Sequence, residues 1–127
     1  MKIKWGYLFL SIIFFVLGLI LSLTYRPYIY SNKIFDFHIA DTIGNIVAVP
    51  AAVCFFIALS RKEIDLKKTV IITVISYIGY EFLGLFGLHG VFDFYDIMAT
   101  MISGIITYII LKNCHVHFLL NNRHKCT

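Results

Sequence analysis

Charge is what this sequence has least of. Only 14% of its 127 residues are Asp, Glu, Lys or Arg, and 60% are hydrophobic. A soluble domain of this length leaves much of its surface in water and cannot hide so much apolar area, so an ordinary soluble globule is excluded. Nucleic acid is excluded as a partner as well, because no basic stripe interleaved with aromatics is present. The three cysteines do not make a disulfide framework. Cys54 lies inside an apolar run, and Cys114 and Cys126 lie in a basic C-terminal stretch. The topology derived below puts that stretch in a reducing compartment, so free thiols are expected. There is no Ser-His-Asp pattern, phosphate loop, dinucleotide fingerprint or convincing internal repeat. No cofactor is implied, and an enzyme is not the leading expectation.

What is there is a set of long apolar runs, which makes the lipid bilayer the expected solvent. Mean hydropathy is +0.86. The aromatic share of 17% fits, since Tyr and Trp favour the membrane interface. The runs predict an all-α polytopic membrane protein, a single domain of four transmembrane helices over 5–24, 39–59, 69–88 and 91–111, with a polar tail over 112–127. The first run is 20 residues and uncharged, about the length that crosses a hydrocarbon core of roughly 30 Å. Its basic front resembles a signal peptide, but the run is long for one and Ser22-Leu23-Thr24-Tyr25 is a poor cleavage site, so it is expected to be retained.

Ser11, Gly18 and Ser22 share a face on that helix and allow another helix to approach closely. Residues 25–37 read as a polar, aromatic connector, either a loop or a short surface helix. Pro50 is expected to kink the second helix. Thr100, Ser103, Gly104 and Thr107 form a small-residue seam on the fourth, and such a seam also offers a route to a homodimer.

Basic residues mark the cytoplasmic side. Lys2, Lys4, Arg61, Lys62, Lys67, Lys68, Lys112, Arg123 and Lys125 fall on one side of a four-span chain, and only Arg26 and Lys33 on the other. Both termini are therefore expected in the cytoplasm, in a multi-pass protein of the inner (cytoplasmic) membrane.

Acids follow the reverse pattern. Asp36, Asp41, Glu81, Asp93 and Asp96 lie on or just below the outer face, with His38 and His89. Glu81 is expected about 10 Å below the outer end of its helix. Asp41 and Asn45 share a face, as do Asp93 and Asp96. Intramembrane acids are functional by default, so the candidate ligand site is Asp41, Asn45, Glu81, His89, Asp93 and Asp96. Buried together, these carboxylates require a proton, a cation, or a basic group such as Arg26, Lys33, His38 or His89. The plainer readings stay open: Asp93 or Asp96 as a helix N-cap, and Glu81 as interhelical glue. No local spacing matches a metal signature here or in the Cys114-His115-Val116-His117 stretch, so no metal is expected.

Two stretches resemble the VanZ-like family of small bacterial membrane proteins. Asp41-Thr42-Ile43-Gly44-Asn45 with Pro50 is similar to the family's Gly-Asn and downstream Pro. Within 80–104, Glu81, Phe92-Asp93 and Asp96 match the family's acids in order and spacing. The sequence departs from the pattern at Gly84 (a glutamine in the family), Gly90 (an arginine), Thr100 (an asparagine), and Ser103 and Thr107 (glycines); His89 is a candidate substitute for the lost arginine.

The resemblance implies a cell-envelope role, linked in the family's named member to resistance to the glycopeptide teicoplanin. The leading expectation is a protein that binds a lipid-linked envelope precursor through its outer carboxylates. A small proton- or cation-coupled transporter and a membrane immunity protein are the alternatives.

Overall fold

The computed structural model describes residues 4–88 and 92–125, with side chains as far as His115. The described chain forms four helices: α1 Trp5–Asn32, α2 Ile39–Leu59, α3 Leu66–Leu85 and α4 Phe94–Lys125. Each is long and apolar enough to cross a membrane, α4 over Phe94–His115. Helices suit lipid because every backbone group finds its partner within the segment. Hydroxyls follow the same logic: those of Thr24, Thr73, Ser76 and Thr100 each donate to the carbonyl four residues earlier.

The helix boundaries differ from expectation for identifiable reasons. The segment read as a connector after residue 24 is helical to Asn32, with Pro27 inside the helix. One lost N–H is tolerated in a membrane helix when the surrounding backbone bonds persist. α1 stops at Lys33, which takes a left-handed conformation (φ 51°) while Ile34 N–H bonds Ile29 O and Lys33 N–H bonds Tyr30 O. α3 starts three residues early because Asp65 caps it, accepting from the Lys67 and Lys68 amides at 3.0 and 3.3 Å. It ends at Leu85 rather than 88: Gly87 at φ 69° lets Leu88 N–H reach Leu83 O and Gly87 N–H reach Gly84 O. α4 starts at 94 and continues through most of the expected tail to Lys125. No glycine or proline stands after Leu111 to stop it, and polarity alone does not end a helix.

α2 is the central element, touching the other three helices, whereas α1 packs along α2 alone. The core gathers Val49, Val53, Cys54, Ile57, Val70 and Leu111, with Tyr7, Val74, Tyr77 and Tyr108 against it. The two small-residue faces are where helices meet. Ser11 is buried on α2, and a Cβ on Gly18 would lie 3.3 Å from Val47. On α4, Thr100, Ser103 and Thr107 are buried, and a Cβ on Gly104 would collide with the Val74 Cγ2 methyl of α3.

Pro50 explains a further contact. Lacking an N–H, it leaves the Ile46 carbonyl without its partner in α2. Ser103 Oγ of α4 donates to that carbonyl at 2.6 Å. Ser11 Oγ of α1 donates to Ala51 O at 2.8 Å. Two of the three neighbours of α2, α1 and α4, are thus pinned to its backbone around the proline.

Candidate functional site at the carboxylate end of the bundle

The end of α1, the start of α2, the end of α3 and the start of α4 lie together. Local capping decides how deep each acid sits. Asp41 is the third residue of α2 and Asp96 the third of α4, so both occupy first turns. Glu81 is four residues from the end of α3, about 6 Å at the helical rise, shallower than the expected 10 Å because Gly87 ends the helix early. Asp93 precedes α4 and caps it, its Oδ1 accepting from the Tyr95 amide at 2.9 Å. It is not inside the fourth helix, as the 91–111 span implied.

A chain of polar contacts ties three helices together across this end. Arg26 Nε donates to Tyr30 Oη at 3.3 Å, and the guanidinium lies over the Tyr30 ring at 5.7 Å. Tyr30 in turn donates to Asp41 Oδ1. The other oxygen of Asp41 faces His38 Nδ1 at 3.3 Å. The His38 ring stacks on Tyr95 of α4, with centroids 4.3 Å apart and planes 15° from parallel.

Phe37 and His38 both take positive φ, 56° and 64°, a conformation that costs a non-glycine residue roughly 1–2 kcal/mol. Asp36 holds that turn, its Oδ2 accepting from the Ala40 amide at 2.7 Å and from Tyr25 Oη at 3.3 Å. Asp36 is therefore a structural acid at the head of α2.

Asp96 and Glu81 are the acids this chain of contacts leaves out. Asp96 Oδ1 is buried without a hydrogen-bond partner among the described residues. Glu81 is only 8% exposed and makes no hydrogen bond among the described residues. The charges acting on Asp96 are those of Glu81, then Asp93, Asp41 and Arg26. Helix dipoles favour a negative charge on Asp41 and Asp96 at helix N-termini and oppose one on Glu81 near a C-terminus. Four carboxylates thus lie at one end of the bundle with Arg26 and His38, and among the described residues one of them, Asp96, carries a buried, unfilled acceptor.

Of the candidate site residues, Asp41, Glu81 and Asp93 lie within electrostatic reach of Asp96. Asn45 is half-buried one turn beyond Asp41 and makes no side-chain hydrogen bond among the described residues. His89 lies outside the described residues. No group of three or more His, Cys, Asp or Glu with metal-holding geometry occurs among the described residues.

Tyr30 and Tyr95 were not singled out from the sequence, and His38 was read beside the outer acids as a source of positive charge. The i,i+4 spacing of Arg26 and Tyr30 was an available signal, hidden by ending the first helix at Thr24, where the uncharged run stops.

An open groove of about 310 Å³ begins at this end between α2 and α4, lined by Phe37, Thr42, Ile46, Tyr95, Met98 and Ile102 among others. Below the recess the interior is filled, Val49, Val53, Cys54 and Thr100 being fully buried.

No protein-family model matches this chain, and no curated protein or solved structure matches it. The VanZ-like resemblance therefore rests on the two stretches of residues that carry it.

Proposed function

We propose that this chain is a multi-pass protein of the bacterial cytoplasmic membrane, with both termini in the cytoplasm, that binds an envelope ligand through its carboxylate recess. The carrying observation is Asp96, whose Oδ1 is buried without a donor among the described residues, beside Glu81, which is 8% exposed and makes no hydrogen bond among them, at an end where the described residues carry more acids than bases. Such a recess is completed by a group that brings positive charge and N–H donors. The distribution of Lys and Arg supports the orientation, placing the recess in the outer leaflet, where lipid-linked precursors and glycopeptides are met. The filled interior beneath the recess favours a binding role over a path for ions across the bilayer.

In keeping with the VanZ-like resemblance, expression of the chain is expected to lower susceptibility to teicoplanin. The double variant Glu81→Ala/Asp96→Ala is expected to insert normally and lose that effect. Unchanged resistance in the variant, measured as the minimum inhibitory concentration at equal membrane abundance, refutes the reading. Orientation is checked separately: a membrane-impermeant maleimide should label Lys33→Cys in intact cells and reach Cys114 only after permeabilisation.

A further inference from the structure

We infer that the ligand of this recess is a bilayer lipid whose headgroup ends in a protonated primary amine, with one of its acyl chains lying in the groove between α2 and α4. This rests on the carboxylate recess being a ligand site, and it adds the chemical class of the ligand and the place of its tail.

The groove starts where the recess does. Tyr95, one wall of its mouth, is the ring that stacks on His38 and is followed directly by Asp96; Thr42, on the other wall, follows Asp41. From Tyr95 the groove continues along α4 to Ile106. Eleven residues of helix are about 16 Å long, roughly half of a hydrocarbon core of ~30 Å, which is the depth of one leaflet.

Its walls are apolar and face outward, with Ile46, Met98, Ile102 and Ile106 all exposed. Of the three hydroxyls that line it, two are already engaged, Thr42 Oγ1 donating to His38 O at 3.1 Å and Ser103 Oγ to Ile46 O at 2.6 Å, and the third, that of Tyr95, stands at the mouth. Beyond the mouth nothing in the groove asks for water, so it suits a hydrocarbon chain.

The recess selects the headgroup. Among the described residues Asp96 Oδ1 lacks a donor, and Glu81, 8% exposed, makes no hydrogen bond. A primary ammonium brings positive charge and three N–H groups; a quaternary ammonium brings the charge and no donor. Arg26 uses its Nε on Tyr30, which leaves its terminal N–H groups for the lipid phosphate.

The test uses the full chain in nanodiscs containing equal amounts of phosphatidylethanolamine and phosphatidylcholine, one or the other carrying a photoreactive group on its acyl chain. Labelled positions are mapped by peptide mass spectrometry. The expected result is labelling over 42–46 and 95–106, with a roughly tenfold preference for the ethanolamine probe, the equivalent of one charge-assisted hydrogen bond. Glu81→Gln with Asp96→Asn should erase the preference while leaving the groove labelled. Ile102→Trp, on an exposed groove position, should remove the labelling, and Met98→Trp provides the same blockage from a second position.

Equal labelling by the two probes in the unaltered chain marks ordinary boundary lipid and overturns the inference. A preference that disappears with the acid variants but survives both tryptophans places the tail elsewhere. That outcome overturns the groove assignment and leaves the recess as a ligand site. The glycopeptide phenotype decides the broader reading independently.

Discussion

The two halves of this bundle are held together by different physics. Toward the connector that joins α2 to α3, interlocking side chains close the bundle: Val49, Val53, Cys54, Ile57, Val70 and Leu111 form one cluster. Toward the turn between α3 and α4, the contacts between helices are polar and aromatic, from Arg26 and Tyr30 through Asp41 and His38 to Tyr95. The packed half has no unfilled acceptor among its described buried side chains; the polar half has one, on Asp96. The difference separates the packed scaffold from the end at which a site is proposed. A membrane helix gains little from apolar contact with its neighbours, because lipid is equally apolar, so its scaffold depends on close approach of small residues. A site, in contrast, keeps polar groups in reserve for what it binds.

The largest effect is expected where the scaffold is tightest. Gly104 lies on α4 where any Cβ would meet Val74 of α3. Gly104→Leu should destabilise the protein by about 3 kcal/mol, the upper range for overpacking, and lower its unfolding temperature in detergent. Gly104→Ala should cost less, and Val74→Ala should relieve it, because the β-branched valine cannot swing its methyl away. If Gly104→Leu unfolds with the unaltered protein, close approach is not what joins α3 to α4.

In the polar half the expected sign reverses. Glu81 is buried, lacks a hydrogen bond among the described residues and sits at the unfavourable end of its helix dipole. Replacing an unpaired buried polar group by an apolar one of similar size removes a penalty of about 1–2 kcal/mol. Glu81→Leu should therefore raise the unfolding temperature of the ligand-free protein while abolishing preference for the amine-bearing lipid. A variant that is less stable and still binds would show that Glu81 serves packing rather than a ligand.

The spans were legible in the sequence because uninterrupted apolar runs of bilayer length have few other uses, and the layer of Asp41, Glu81 and Asp96 followed from counting along them. The seams were legible too, since Ser11, Gly18, Thr100 and Ser103 recur at helical spacing and do meet neighbouring helices. What escaped depended on backbone conformation. Three glycines between 84 and 90 all offered an end for α3, and only the left-handed φ of Gly87 selects it. The polarity of 25–37 set the end of the first helix at Thr24, which hid the helical face that carries Arg26 and Tyr30. The His38–Tyr95 stack joins residues more than fifty positions apart, through a turn at positive φ that no local pattern announces.

The smallest expected effect tests the boundary between the halves. Ser103 Oγ and the Ile46 carbonyl form their bond at 2.6 Å because Pro50 denies that carbonyl its own helical donor. Hydrogen bonds between membrane helices contribute about 0.6 kcal/mol on average and up to about 1.7. Ser103→Ala should cost about 1 kcal/mol, toward the upper part of that range, since the orphaned carbonyl has no second donor within α2. In a Pro50→Ala background the backbone amide at that position returns as the donor, and Ser103→Ala should then cost almost nothing. A double-mutant cycle on unfolding free energies reads the difference directly. Coupling of about 1 kcal/mol makes the proline the reason α4 is pinned at this level. Zero coupling would mean that Ser103 acts through its small size alone, and the seam on α4 would then be steric along its whole length.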